Sequence, residues 1–228
     1  MGTDKQFRRA FAAGLIVLTL GFFARGLGAA TYEQQRVGLA FGLNGDYVLN
    51  DAKDHGNYIG FGASFRVALT KNIALEVSGQ FDRYATLGDT ANPLTTLSPG
   101  HLTQIPLQAM LQLRLPLNSL PLVPYITAGG GISLNSFSLD ETMLAGYKAL
   151  GFDLTEEAKA SLIFSVGAGL DIIASQNMMV GLHFRYRFGN ADGSSTITDQ
   201  VSRETVTQAL TDINLKSMVI GLGIKYVF

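Results

Sequence analysis

Along most of this chain, apolar side chains recur at every second position, and polar or small residues fill the places between them. The last segment is the clearest. Met218, Ile220, Leu222, Ile224, Tyr226 and Phe228 fall on one side of a period-two strand, with Ser217, Val219, Gly221, Gly223, Lys225 and Val227 on the other, because successive strand side chains alternate between faces. Met178 to Phe188 repeats the pattern: Met178, Val180, Leu182, Phe184, Tyr186 and Phe188 oppose Gly181, His183, Arg185 and Arg187. Ser161–Ile173, Gln104–Leu115, Ile73–Tyr84, Tyr58–Leu69 and Arg36–Asn44 read the same way, each with one apolar face. Val123 to Asn135 is the exception, because Gly129, Gly130 and Gly131 blur its parity and suggest a bulge there.

The connections alternate in length. Short links at Thr70–Asn72, Asn118–Leu122 and Ala174–Asn177 take turns with long polar ones near Asp46–Asn57, Gly88–His101, Ser136–Lys159 and Asn190–Asp212. Within the third long link, Leu144, Tyr147 and Leu150 have helical spacing and predict a short surface helix. Eight strands follow, all antiparallel and joined up and down.

Composition decides where the apolar faces point. Charged residues make up 15% of the 228, against roughly 25% in an ordinary soluble domain. The hydrophobic fraction, 47%, is unexceptional. A soluble sandwich would bury its apolar faces against each other; a transmembrane barrel turns them to lipid and keeps its arginines inside. Beyond the first thirty residues no stretch is apolar enough to cross a bilayer as a helix, and in lipid only helices and closed barrels satisfy their own backbone groups. The expected fold is therefore all-β: an eight-stranded antiparallel transmembrane up-and-down β-barrel with short periplasmic turns and long external loops.

The start of the chain supports export. Lys5, Arg8 and Arg9 precede an apolar run from Ala10 to Phe23, and Gly28 and Ala30 occupy the small positions before a cut at Thr31. Residues 1–30 are expected to be a signal peptide, and 31–228 the barrel domain, located in the cell outer membrane with its lipid as the first partner. A formal charge of −1 gives no reason to expect nucleic acid. With no cysteine, disulfides and thiolate metal sites are excluded.

The inward polar set is Arg66, Glu76, Asp82, Arg114, Asp171, His183, Arg185, Arg187 and Lys225. A barrel this narrow is about filled by its own side chains, so these residues are expected to pair as a charge network plugging the lumen. A thin conduit is the alternative. No catalytic, cofactor-binding or metal site is expected. A lipid deacylase of this shape needs a His-x-Ser pair on one strand face, and the position two beyond His183 is Arg185. His55 and His101 have no serine–carboxylate frame in sequence. The glycine clusters lack the Lys-Ser/Thr of a phosphate loop.

The leader, the ending Ile220-x-Leu222-x-Ile224-x-Tyr226-x-Phe228, and the stretch Pro124-Tyr125-Ile126-Thr127-Ala128-Gly129-Gly130-Gly131 together resemble the small outer-membrane barrels of the OmpW and OmpA-like type. That resemblance implies assembly by the barrel-assembly machinery, which would recognise Ile220, Leu222, Ile224, Tyr226 and Phe228. It leaves two functions open. One is a structural or surface-interaction protein with a filled lumen; the other is a narrow channel or transporter for small or hydrophobic molecules, with a lateral exit near the fifth strand. Without tryptophan, any aromatic girdle must come from Tyr and Phe.

Overall fold

Ten strands and one helix make up the computed structural model, which describes residues 38–52, 55–87, 97–117 and 120–228. In chain order they are β1 (Leu39–Asn50), β2 (Tyr58–Ala68), β3 (Ile73–Thr86), β4 (Gly100–Arg114), β5 (Leu122–Leu139), α1 (Glu141–Ala149), β6 (Phe152–Ala158), β7 (Ser161–Ile173), β8 (Met178–Asp199), β9 (Thr205–Asn214) and β10 (Ser217–Val227). The leader expected at residues 1–30, and the Arg36–Val37 start of the first expected strand, lie outside the described residues.

Eight strands close on themselves in the order β1-β2-β3-β4-β5-β7-β8-β10, and β10 pairs with both β8 and β1. All pairs are antiparallel. Closure removes the open edges that would otherwise expose unpaired backbone groups. Burial alternates along each wall strand, and the apolar residues are the exposed ones: Phe61 on β2 and Leu162 on β7 are 66% and 67% exposed, while Arg66 and Asp171 on the same two strands are buried. The wall is inside-out relative to a soluble domain.

β5 corrects the expected bulge. Its pairing with β4 and β7 runs without a register shift, so its odd-numbered residues face inward and its even-numbered ones outward throughout. The glycines serve close approach. A Cβ on Gly129 or Gly131 would sit 2.1 Å and 1.9 Å from the carbonyl oxygens of Ala109 and Leu107, and one on Gly130 would strike the Phe164 ring that covers it.

The long links are more ordered than polarity suggests. β1 continues to Asn50 and β8 to Asp199, so Asp46 and Asn190–Asp199 are strand and not loop. The upper half of β8 carries β6 on one side and β9 on the other, a three-stranded sheet standing on the barrel rim. The expected helix forms as α1, with Asp140 accepting from Thr142 N at 2.9 Å as its N-cap. β9 holds a bulge opposite Ala191–Gly193, where Asp212 takes φ 59°.

Candidate functional site

Polar side chains converge in the lumen, which is packed in layers along the axis. At the short-turn end Ala40, Val123, Ile173, Met179 and Val227 meet in an apolar layer. In the middle lies the charged layer. Asp171 accepts from Arg66 at 2.5 Å and from Lys225 at 2.9 Å. Glu76 takes Arg185 at 3.2 Å, Gln112 at 2.9 Å and, more distantly, Lys225 at 3.8 Å. The Lys225 ammonium also stands 5.2 Å from the centre of the Tyr125 ring. Arg114 is buried at the end of β4, in register with Tyr125.

One level higher, Arg187 reaches Asp82 at 2.9 Å and Gln80 at 3.0 Å, while His183 Nε2 lies 3.0 Å from Asp46. Gln108 donates to Ser165 at 2.6 Å over the β5 glycines between them. Buried charges survive only with such partners, since an isolated one would be very costly. The structure thus places all nine sequence-singled charges on the inner face and joins Arg66, Glu76, Asp171, Arg185 and Lys225 into one network, with Asp82–Arg187 as a separate pair.

Above the charges comes a second apolar layer: Val48, Tyr58, Tyr84, Leu97, Leu102, Leu210, Ile213, Leu215 and Val219, with the Tyr58 and Tyr84 rings stacked at 4.8 Å. Leu97 and Ser98, just ahead of β4, are held in this mouth. Buried Glu156 on β6 accepts from both Ser98 N (3.1 Å) and Ser98 Oγ (2.5 Å), and Thr86 donates to the Ser98 carbonyl at 2.9 Å.

Sequence reading missed two of these parts. Asp46 falls in an expected loop, although the alternation Gly42, Asn44, Asp46, Val48 continues inward and carries the signal. Glu156 has no such signal, because β6 lies in the expected long link Ser136–Lys159. On the outer face Ile220, Ile224, Tyr226 and Phe228 are exposed, and the Tyr226 and Phe228 rings meet edge-on at 5.1 Å. The β5 wall is paired on both sides, so no opening lies there. Between β3 and β4 the register is continuous, but bridge pairing lapses between Gly79↔Leu107 and Asp82↔Gln104, where Pro106 has no N–H to give.

The family model described as outer membrane protein beta-barrel domain matches residues 15–228. No curated protein matches the chain by sequence. The structure is similar to the outer membrane protein OprG of Pseudomonas aeruginosa, at TM-score 0.61 and 14% identity, covering 85% of this chain and 96% of that one. Outer membrane protein W of E. coli is also similar, at TM-score 0.49 and 19% identity, covering 85% and 99%. So is Neisserial surface protein A, at TM-score 0.49 and 13% identity, covering 84% and 97%.

Proposed function

The chain belongs to the outer membrane protein β-barrel domain family, and on that premise we propose that it is a plugged barrel, anchoring a surface-exposed sheet to the outer membrane without conducting solutes. It is an integral outer-membrane protein, with lipid against its apolar outer face. The observation that carries the proposal is the filled lumen. An ion entering from either end meets an apolar layer before it reaches the charges, and the charges are already paired with one another. In such barrels the short turns face the periplasm and the long connections face outward, which puts β6, α1, β9 and the upper half of β8 outside the cell.

The reading includes a cleaved leader at 1–30, assembly through the terminal strand with Phe228 and Tyr226 as recognised residues, and no catalysis. His183 is engaged by Asp46, and Arg185 stands where a nucleophile would be needed. N-terminal sequencing of membrane-extracted protein should start at Thr31. Replacement of Phe228 by Ala should slow assembly in membranes without changing the stability of barrel refolded in detergent.

A second reading, passage of a small hydrophobic molecule, is favoured by one observation: the lapse in pairing at Pro106 lies just below the apolar layer of Tyr84 and Leu102. Planar-bilayer recording separates the two. The filled lumen should give no conductance steps, and Glu156→Ala, which releases Ser98, should at most add rare openings. Regular steps from the unaltered protein would contradict the plug. Saturable, Leu102-dependent binding of an apolar fluorophore would favour the second reading.

A further inference from the structure

Just above the apolar band, the outer faces of β3, β4 and β5 carry two rows of mainly polar residues whose composition is set by register. In the lower row Arg83, Thr103 and Ser136 stand side by side; in the upper, Ala85, His101 and Ser138. Two residues lower on the same strands are Phe81, Ile105 and Leu134, all exposed to lipid. Neighbouring strands lie about 4.8 Å apart, so the lower row spans about 10 Å, the width of a single lipid headgroup. Arg83, His101, Ser136 and Ser138 are all exposed. Among the described residues no carboxylate forms an ion pair with Arg83.

We propose that this patch is a binding site for the phosphate of an outer-leaflet lipid. Arg83 and the hydroxyls beside it carry the complementarity. A guanidinium presents a planar fork of N–H donors that fits two phosphate oxygens at once. Its stem can lie along the apolar band while its head reaches the headgroup level. The hydroxyls of Thr103, Ser136 and Ser138 supply further donors within one headgroup's reach, and the acyl chains of the same lipid fall on Phe81, Ile105 and Leu134. A soluble anion would gain the fork but not the apolar contact below it, so the site favours phosphate attached to a lipid. The inference rests on the membrane setting and not on the plugged lumen.

Native mass spectrometry of the folded protein in a maltoside detergent tests it, with phosphatidic acid as the probe and diacylglycerol as the same lipid without phosphate. The unaltered protein should retain phosphatidic acid and not diacylglycerol. Arg83→Gln should weaken retention about tenfold, and Arg83→Lys by less, since charge remains but the fork is lost. Arg203→Gln, on the hairpin between β8 and β9, should retain the lipid fully. Each variant is first shown to be folded by its heat-dependent gel shift, which an outward surface change leaves intact. Equal retention of both lipids, no effect of Arg83→Gln, an equal loss in Arg203→Gln, or displacement of phosphatidic acid by an equal concentration of inorganic phosphate would overturn the proposal.

Discussion

Asp171 shows how much can depend on one carboxylate inside a narrow barrel. It is fully buried and is shared by Arg66 and Lys225. Replacing it by Ala leaves buried Arg66 without its ion-pair partner and Lys225 with only the more distant Glu76, and breaking a buried pair in this way costs about 3–5 kcal/mol. Denaturant unfolding of the refolded barrel should show that loss, and the double change Asp171→Ala with Arg66→Met should recover part of it. An unaltered midpoint in the single variant would mean that the network contributes nothing. At this scale the sequence showed which side chains share a face, because strand alternation is local. It did not show who meets whom: Arg66 and Asp171 are 105 residues apart, and their meeting depends on closure of the whole wall.

Elements were legible in proportion to the contrast between their two faces. β7, β8 up to Phe188, and β10 separate lipid from lumen, so their alternation is sharp. β9 and the upper half of β8 stand clear of the membrane, with threonines on the outer face such as Thr196 and Thr207, and mixed polarity there reads as loop. β5 was blurred for another reason: close approach to β4 excludes side chains at Gly129 and Gly131. Gly131→Ala should therefore disturb β4–β5 pairing and cost about 1–3 kcal/mol in an unfolding titration. The bulge in β9 offers a second test. Asp212 sits at positive φ, which a β-branched residue tolerates poorly, so Asp212→Val should cost about 1–3 kcal/mol, whereas Asp212→Gly should be neutral or stabilising. Amide exchange across Leu210–Asn214 would report either change.

The whole molecule reverses the usual partition: grease outside, charge within, and apolar layers only where the lumen opens to water. Strand number and closure could be anticipated from the alternation of short and long connections. The three-stranded extension and the Glu156–Ser98 contact could not, since they depend on long-range pairing above the rim. A charge on the outer face carries the same claim at this scale: Leu182→Arg should cost about 2–4 kcal/mol or block assembly, as expected for arginine near the bilayer midplane.

Because the chain contains no cysteine, a single introduced thiol reports from one position alone, and labelling along β8 and β10 with a fluorescent probe tests the partition most directly. In bilayers containing brominated lipids, probes at Leu182, Phe184, Leu222 and Ile224 should be quenched strongly by the acyl chains and weakly by aqueous iodide. A thiol at Ser217, buried on the opposite face of β10, should resist labelling altogether. Labelling of Ser217 as ready as that of Ile224, or stronger quenching by aqueous iodide than by brominated lipid at Leu182 and Ile224, would contradict the account.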